Sequence, residues 1–392
     1  MSIKKISVNN LGPITQGEVE FGDLTLFMGP QATGKSILLQ HFKLLNDYKY
    51  IYKYLLSKGF SLKTEDEFLQ GYLGENMNKV WNKNTQFTYT EHNKSAQNQF
   101  SIKSDITGKQ IRISKDTGRS ICFYIPAQRV LIYDPDGWVK DFGGYPFSYP
   151  FVIKEFSELI RQYITTDDKG DLFPKRNLKG EIKDLIDKNL FRGARLKKER
   201  IAGLKNRLVL DLKQESGTIP FVSWSAGQRE FIPLMLGLYY LLPAARSEKL
   251  KDVDYVIIEE LEMGLHPDAI TAVMFAIFEL VQRGYKVIIS THSAHVVEIV
   301  WAVKNLLKSA NGSFVKGFAE IFSQNSTNGT IKDIANKLQL NKKSFNVYFF
   351  NPEDGGINID DISSLDTLDE KTAGWGGISA ASAKINDIVS RY

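Results

Sequence analysis

The chain has 392 residues, of which 43% are hydrophobic and 24% are charged, so its composition is that of a globular protein with a sizeable core. Its one cysteine, Cys122, excludes an intramolecular disulfide framework, and the apolar residues around it predict a core position. The longest apolar stretch, Phe231–Ala245, is too short to span a bilayer and contains two prolines, and no apolar segment follows the N-terminal lysines. We therefore expect a cytoplasmic protein of two lobes with no membrane contact.

The net charge of +5 is unevenly distributed along the chain. The segment Lys175–Arg207 contains twelve Lys or Arg residues and four acids. A basic segment of this kind favours an anionic partner such as DNA or RNA, although a solvated helical face would have the same composition.

The first third of the chain alternates between β-rich and helical patterns. Residues 1–28 predict three short strands that end at a glycine-bearing loop. The apolar spacing after this loop predicts a helix from Ser36 to about Lys58. Short β-rich runs separated by Thr-Gly and Asp-Thr-Gly predict an antiparallel meander between Gln97 and Ile125.

The middle of the chain begins with an aromatic-rich segment, Tyr133–Phe151, which would stack bases, dock a partner or pack its own rings. Amphipathic spacing predicts helices over Phe151–Ile164 and Leu178–Lys205. The residues Arg207–Trp224 predict a hairpin that turns around Glu215–Gly217.

The C-terminal part alternates strand, helix, strand and helix over Asp252–Glu260, Pro267–Arg283, Tyr285–Thr291 and Ser293–Leu307. This order predicts parallel strands in a doubly wound sheet. The tail predicts one strand at Phe345–Phe350, a second at Ile357–Ile362 and a Gly/Ala/Ser-rich stretch near Gly374–Ala383.

The phosphate loop, Gly29–Ser36, matches the pattern G-x-x-x-x-G-K-[ST] between the apolar run Leu24–Met28 and the predicted helix. A strand, a loop and a helix N-terminus bring backbone N–H groups together on phosphates, while Lys35 neutralises their charge and the Ser36 hydroxyl ligates Mg²⁺. We expect the nucleotide to contact Gly29, Pro30, Gln31, Ala32, Thr33, Gly34, Lys35 and Ser36.

Two further stretches carry chemistry that suits a phosphate loop. The apolar strand from Tyr255 ends in two acids, so Glu259 would ligate the metal and Glu260 would act as general base on the attacking water. The signature segment, Ser225–Gln228, opens an apolar helix at which Ser225 is a good N-cap. An N-cap does not require Gly227 or Gln228, since glycine weakens a helix.

The order of these motifs over residues 1–300 resembles that of the ABC-type ATPases. More narrowly, it is similar to the RecF/SMC-like heads and to the overcoming-lysogenisation-defect class, including ATPase subunits of bacterial anti-phage defence systems. On this resemblance the phosphate loop is the Walker A motif, Glu259-Glu260 is the Walker B pair and Ser225, Ala226, Gly227 and Gln228 form the ABC signature. The resemblance further implies that Gln128 is the Q-loop glutamine, which lies at the metal and the attacking water, and that His292 is the switch histidine.

The resemblance implies a fold, a ligand and an assembly. The fold would be an α/β ABC-type P-loop ATPase head with a mixed, doubly wound sheet, an N-terminal antiparallel β subdomain and an inserted helical lobe. The ligands would be ATP and Mg²⁺. A homodimer or higher oligomer would form through composite sites, because the signature of one subunit covers the γ-phosphate bound by another. We expect the ATPase halves to span residues 1–132 and 207–310, the inserted lobe 133–206, and C-terminal strands and a tail 311–392.

The sequence departs from the common ABC pattern in having Glu259 in place of Asp and Leu261 in place of Pro. After Leu307 we find no glutamate-then-paired-aspartate pattern of a TOPRIM nuclease.

Three functions remain open at this point. The chain would be a slow, partner-stimulated ATPase whose ATP-dependent dimerisation gates a separately encoded effector, for example a nuclease in phage defence. Alternatively, it would be a RecF-like DNA-repair ATPase that grips the DNA backbone with its basic segment. The third alternative is a nucleotide-gated scaffold with little turnover.

Overall fold

The computed structural model describes residues 3–92, 96–102, 119–142, 148–166, 171–173, 180–201, 205–212, 217–243, 248–308, 314–322 and 329–365. Their strands are β1 (Ile3–Leu11), β2 (Ile14–Glu20), β3 (Leu24–Met28), β4 (Gln86–Glu91), β5 (Asn98–Phe100), β6 (Cys122–Ile125), β7 (Asp171–Phe173), β8 (Arg195–Ile201), β9 (Lys205–Asp211), β10 (Thr218–Pro220), β11 (Tyr255–Glu259), β12 (Lys286–Thr291), β13 (Phe345–Glu353) and β14 (Gly356–Asp361). Their helices are α1 (Lys35–Ser57), α2 (Glu65–Leu73), α3 (Phe151–Thr166), α4 (Gly180–Ile186), α5 (Ala226–Leu241), α6 (Pro267–Gln282), α7 (Ala294–Lys308), α8 (Phe314–Ile321) and α9 (Thr330–Leu340).

The larger sheet has the strand order β5-β4-β1-β2-β14-β13-β3-β12-β11-β6. Its half from β13 to β6 is parallel throughout, and every residue of β3, β11 and β6 is buried. Continuous apolar runs suit such strands because helices cover both faces of a parallel sheet. The predicted doubly wound sheet is confirmed, and the carboxyl ends of these strands share one edge.

The other half of this sheet is the predicted N-terminal antiparallel part, formed by β2, β1, β4 and β5. The burial of β1 alternates along the strand, as it does when one face packs on the core and the other meets solvent. The two strands predicted in the tail are also present, and they lie inside the sheet. β13 pairs with β3, and β14 pairs with β2.

Two predictions of local structure were wrong. The run at Cys122 is not part of an antiparallel meander, because β6 pairs in parallel with β11 at the end of the large sheet. The rest of that predicted meander falls largely on residues 103–118, outside the described residues.

The predicted helix over Leu178–Lys205, the core of the inserted helical lobe, stops at Phe191. Arg192 and Gly193 both have positive φ, which ends the helix, and β8 then forms a hairpin with β9 in a four-stranded antiparallel sheet, β10-β9-β8-β7. Charged residues with isolated apolar ones suit an exposed strand as well as a helix, so pairing with the buried residues of β9 decides the structure. The hairpin predicted over Arg207–Trp224 is confirmed by the pairing of β9 with β10.

A buried ion network ties the phosphate-loop helix to its neighbours. Lys43 of α1 donates to Asp47 at 2.8 Å and to the Cys122 carbonyl at 2.8 Å, and its ammonium lies 3.0 Å from Glu155 of α3. Cys122 is buried, as predicted. The network therefore fixes α1 against both β6 and α3. Of the helices in the described ranges, none combines the length and apolar character that crossing a bilayer requires.

Candidate nucleotide site

The phosphate loop lies between the end of β3 and the start of α1. Close contacts with neighbouring atoms require glycine at Gly29 and at Gly34. Gly29 has a φ of 142°, and an added Cβ would lie 2.7 Å from the Phe350 carbonyl oxygen of β13. Gly34 has a φ of 91°, and its added Cβ would lie 2.9 Å from the side chain of Ile14. Only glycine satisfies both the backbone angle and the lack of space at these positions.

The Lys35 ammonium folds back over this loop. It donates to the Gly29 carbonyl at 2.9 Å, to the Pro30 carbonyl at 2.6 Å and to the Thr33 hydroxyl at 3.2 Å. Burial lowers the pKa of Lys35 to about 8, against the opposing effect of the Glu260 and Glu262 carboxylates. The three donors of the ammonium thus already point at oxygens of the loop, where phosphate oxygens would compete for them.

Glu259 is buried at the end of β11, and its Oε2 accepts a hydrogen bond from the Ala127 amide at 3.0 Å. Burial raises the pKa of this carboxyl, while Ser36, Ala127 and Tyr124 act in the opposite direction. Its other oxygen, Oε1, is buried and meets no donor of the described residues in hydrogen-bonding geometry. An orphaned carboxylate oxygen beside a serine hydroxyl fits Mg²⁺, which binds through one or two protein oxygens and takes further ligands from water and phosphates. The described residues contain no cluster of three His, Cys, Asp or Glu side chains able to hold a metal, and Mg²⁺ with a nucleotide does not require one.

Glu260 lies beside His292, with 3.7 Å between Oε1 and the histidine Nε2. His292 lowers the pKa of Glu260, burial opposes this, and Lys35 and Arg129 lower the pKa further. The φ of Glu260 is +44°, a left-handed conformation that is uncommon for residues other than glycine. Successive strand side chains point to opposite faces, so this turn of the backbone allows Glu259 and Glu260 to serve the same site.

Two residues of this site were not predicted. Glu262 accepts a hydrogen bond from the His292 amide at 2.5 Å and so holds the end of β12. Arg129 is fully buried and donates to the carbonyls of Glu259 at 2.9 Å and Glu260 at 3.0 Å. An arginine four residues after the apolar strand β6, in the run that contains Gln128, was the available signal.

Gln128 lies next to Ala127, whose amide contacts Glu259. Its side chain is exposed, and no hydrogen bond joins it to the other described residues. The position is compatible with the predicted role at the metal and the water, which stays a prediction.

The signature segment begins α5 with a reciprocal cap. The Gln228 amide donates to the Ser225 hydroxyl at 3.2 Å, and the Ser225 amide donates to the Gln228 side chain at 3.0 Å. An added Cβ on Gly227 would lie 2.5 Å from the Gly264 carbonyl oxygen. The chain itself therefore explains Gln228 and Gly227, and Ser225 and Ala226 are exposed. Across the described part of the chain, no hydrogen bond connects this segment with the phosphate loop.

Several cations of the basic segment form ion pairs within the chain. Ion pairs join Arg195 with Asp171, Lys197 with Asp211, Lys205 with Asp136, and Arg207 with Glu199. Lys198 donates to the Ile164 carbonyl at 3.0 Å. These partners reduce the positive charge that the segment presents to a polyanion. Residues 174–179 and 202–204 of this segment lie outside the described residues.

The family described as "AAA domain, putative AbiEii toxin, Type IV TA system" matches residues 46–298, more than half of the chain. The chain belongs to this AAA family. It is also 38% identical over 72 residues to the Old nuclease of Escherichia phage P2, an alignment that covers 18% of this chain and 12% of the phage protein. The predicted resemblance to the overcoming-lysogenisation-defect class of ATPases is confirmed, and the sequence identity behind it extends over these 72 residues.

Two solved structures resemble the AAA-family chain in fold. One is an SMC head bound to the C-terminal winged-helix domain of ScpA, with a TM-score of 0.38, 11% identity, and coverage of 92% of this chain and 97% of the other. The second is the SMC head domain from Thermotoga maritima, with a TM-score of 0.34, 11% identity, and coverage of 92% and 99%.

Proposed function

We propose that this AAA-family chain binds and hydrolyses ATP with Mg²⁺, that ATP brings two or more copies together, and that the assembly gates a separately encoded effector in phage defence. The observation that carries the enzymatic part is the convergence of Lys35, Glu259, Glu260 and His292 at one edge of the sheet. In open α/β sheets, ligands bind at the carboxyl ends of the strands.

Each residue has a role that follows from its environment. Lys35 would neutralise phosphate charge, and exchange of loop carbonyls for phosphate oxygens would keep its donors satisfied. Ser36 and Glu259 would hold Mg²⁺, which supplies charge neutralisation at the phosphates. The lowered pKa of Glu260 keeps its carboxylate ionised at neutral pH, the state that accepts a proton from water. His292 would hold Glu260 in place and contact the γ-phosphate.

Two observations support assembly and a partner. The signature segment is exposed at Ser225 and Ala226, and it has no hydrogen bond to its own phosphate loop within the described ranges, so a second copy is a suitable source of the missing half-site. The local identity to the Old nuclease and the toxin–antitoxin description of the family favour a defence role with an effector. The RecF-like alternative receives less support, since four of the six cations of β8 and β9 form ion pairs within the chain.

The test compares Glu260→Gln with wild type and with Glu75→Gln, a change of the same chemistry at an exposed position in the turn after α2. We expect Glu260→Gln to bind ATP, to lose hydrolysis and to accumulate as an ATP-bound assembly with at least twice the monomer mass in light scattering. Glu75→Gln should behave as wild type.

Lys35→Ala should lose ATP binding, and retention of ATP by that variant would contradict the assignment. An unchanged mass for Glu260→Gln with ATP would contradict assembly. Wild type without turnover, whether alone, with DNA or with a partner, would favour the scaffold alternative.

A further inference from the structure

Arg129 is a buried arginine whose guanidinium nitrogens serve backbone carbonyls from two distant parts of the chain. Its Nε donates to the Glu230 carbonyl at 2.9 Å, in the first turns of α5. Its Nη1 and Nη2 donate to the Glu259 and Glu260 carbonyls at 2.9 and 3.0 Å. The side chain is fully buried, so these contacts are shielded from water.

The Glu259 carbonyl at the end of β11 relies on this guanidinium, whereas the Glu260 carbonyl also accepts from the Met263 amide at 3.1 Å. The neighbouring strand β6 ends at Ile125, and the Ala127 amide beyond it donates to the Glu259 carboxylate at 3.0 Å instead of to a main-chain carbonyl of β11. The positive φ of Glu260 turns the backbone out of the strand at this point. A buried carbonyl without a donor is costly, so the guanidinium stabilises the turn that orients both carboxylates.

The N-terminal end of α5, which contains the signature segment, also contacts the residues after β11 directly. Gly227 packs against the Gly264 carbonyl, four residues after Glu260, in a contact too close for a Cβ. The beginning of α5 is thus joined to the residues after β11 by a steric contact and by the hydrogen bonds of Arg129.

We propose that Arg129 is a positioning residue that transmits displacement of the signature segment to Glu259 and Glu260 of the same chain. This inference rests on the proposed function, because contact of the signature segment with a second copy is what would displace it. Engagement of one site by a partner copy would then set the geometry of the other site, which makes the two hydrolytic sites cooperative.

The geometry requires arginine at this position. A guanidinium presents donors from three nitrogens in a rigid plane, which suits carbonyls that lie in different directions. A lysine ammonium at the same position keeps the charge but concentrates its donors on one atom. Arg129→Lys therefore keeps the positive charge and removes the ability to bind three carbonyls at once.

The experiment measures the Kd for Mg-ATP, kcat, KM and Tm of wild type, Arg129→Lys and a control, Arg283→Lys. Arg283 is also buried, and it binds Glu279 and the Pro243 carbonyl at the opposite ends of α5 and α6. For Arg129→Lys we expect an ATP Kd within about threefold of wild type, a KM equally unaffected, and a kcat lower by about 100-fold, the loss typical of an ångström-scale misplacement. Arg283→Lys should lower Tm by a comparable amount and leave kcat unchanged.

Exchange of amide hydrogens in wild type keeps the inference testable if Arg129→Lys does not fold. Addition of a non-hydrolysable ATP analogue should change the protection of residues 225–232 and 259–265 together. A change in one segment alone would overturn the inference.

The enzymatic arm distinguishes two failures. If wild type turns over ATP and Arg129→Lys has the same kcat, or loses ATP binding in parallel with kcat, Arg129 is not a positioning residue. If wild type itself has no turnover, the proposed function fails and the inference fails with it.

Discussion

The buried ammonium of Lys35 should make the affinity for ATP depend on pH between about 7 and 9. Burial lowers the pKa of Lys35 from 10.5 to about 8 in the free protein. A bound triphosphate stabilises the charged form, so the pKa of Lys35 rises on binding. ATP binding is therefore linked to uptake of a proton, and affinity falls as the pH rises through 8.

The size of the effect follows from the fraction of Lys35 that is charged. About 90% of the free protein has a charged Lys35 at pH 7 and about 10% at pH 9, so the apparent Kd for Mg-ATP should rise about tenfold, which corresponds to about 1.4 kcal/mol. At pH 9 each bound ATP should take up about 0.9 proton. The γ-phosphate is already ionised above pH 7, since its second pKa is about 6, so it does not contribute to this decline.

Isothermal titration calorimetry at pH 7 and pH 9, in two buffers of different ionisation enthalpy, measures both quantities. Lys35→Arg is the control, because a guanidinium stays charged over this range and the affinity of that variant should not depend on pH. In Glu260→Gln the midpoint should move below 8, since the Glu260 carboxylate raises the pKa of Lys35. A Kd that changes less than twofold between pH 7 and pH 9, with no proton uptake, would refute the reasoning.

Two further predictions concern stability. Gly227→Ala places a Cβ 2.5 Å from the Gly264 carbonyl oxygen and should lower the free energy of unfolding by about 1–3 kcal/mol in urea titrations, whereas Gly217→Ala, with no atom within 4 Å, should have no such cost. Equal stabilities of the two variants would show that the backbone at Gly264 moves away from the added Cβ without a cost in free energy. His41 is buried and its pKa is lowered to about 4, so the folded state binds its proton less readily than the unfolded state, and stability present above pH 6.5 is lost as the pH falls towards 4. Between pH 7 and pH 5 this protonation should lower the free energy of unfolding by about 2 kcal/mol. His41→Phe should remove this pH dependence. If the variant keeps the same pH dependence as wild type, the prediction is wrong.

Features that arise within a short segment could be predicted from the sequence. The phosphate loop is of this kind because its backbone N–H groups and the lysine belong to one contiguous turn between a strand and a helix. The N-cap at Ser225 is equally local, since a hydroxyl meets an amide three residues away. The parallel order of β11 and β12 follows from apolar runs separated by a helix, because a crossover returns the chain in the same direction.

Other features depend on contacts between distant residues, and only the tertiary structure decided them. The residues of β8 would suit a helix, and pairing with β9 makes them a strand. β13 lies beside β3, more than 300 residues away in sequence, and its Phe350 carbonyl is what Gly29 has to accommodate.

Arg129 is the clearest example of such a residue. Three main-chain carbonyls that bind it lie 101, 130 and 131 residues further along the chain, and every residue type carries such a carbonyl. Since any residue presents a carbonyl, no spacing of residue types in the sequence marks those partners. The sequence therefore predicted which groups would meet a nucleotide, and the packing of β11 against α5 determined how the carboxylates among them are held.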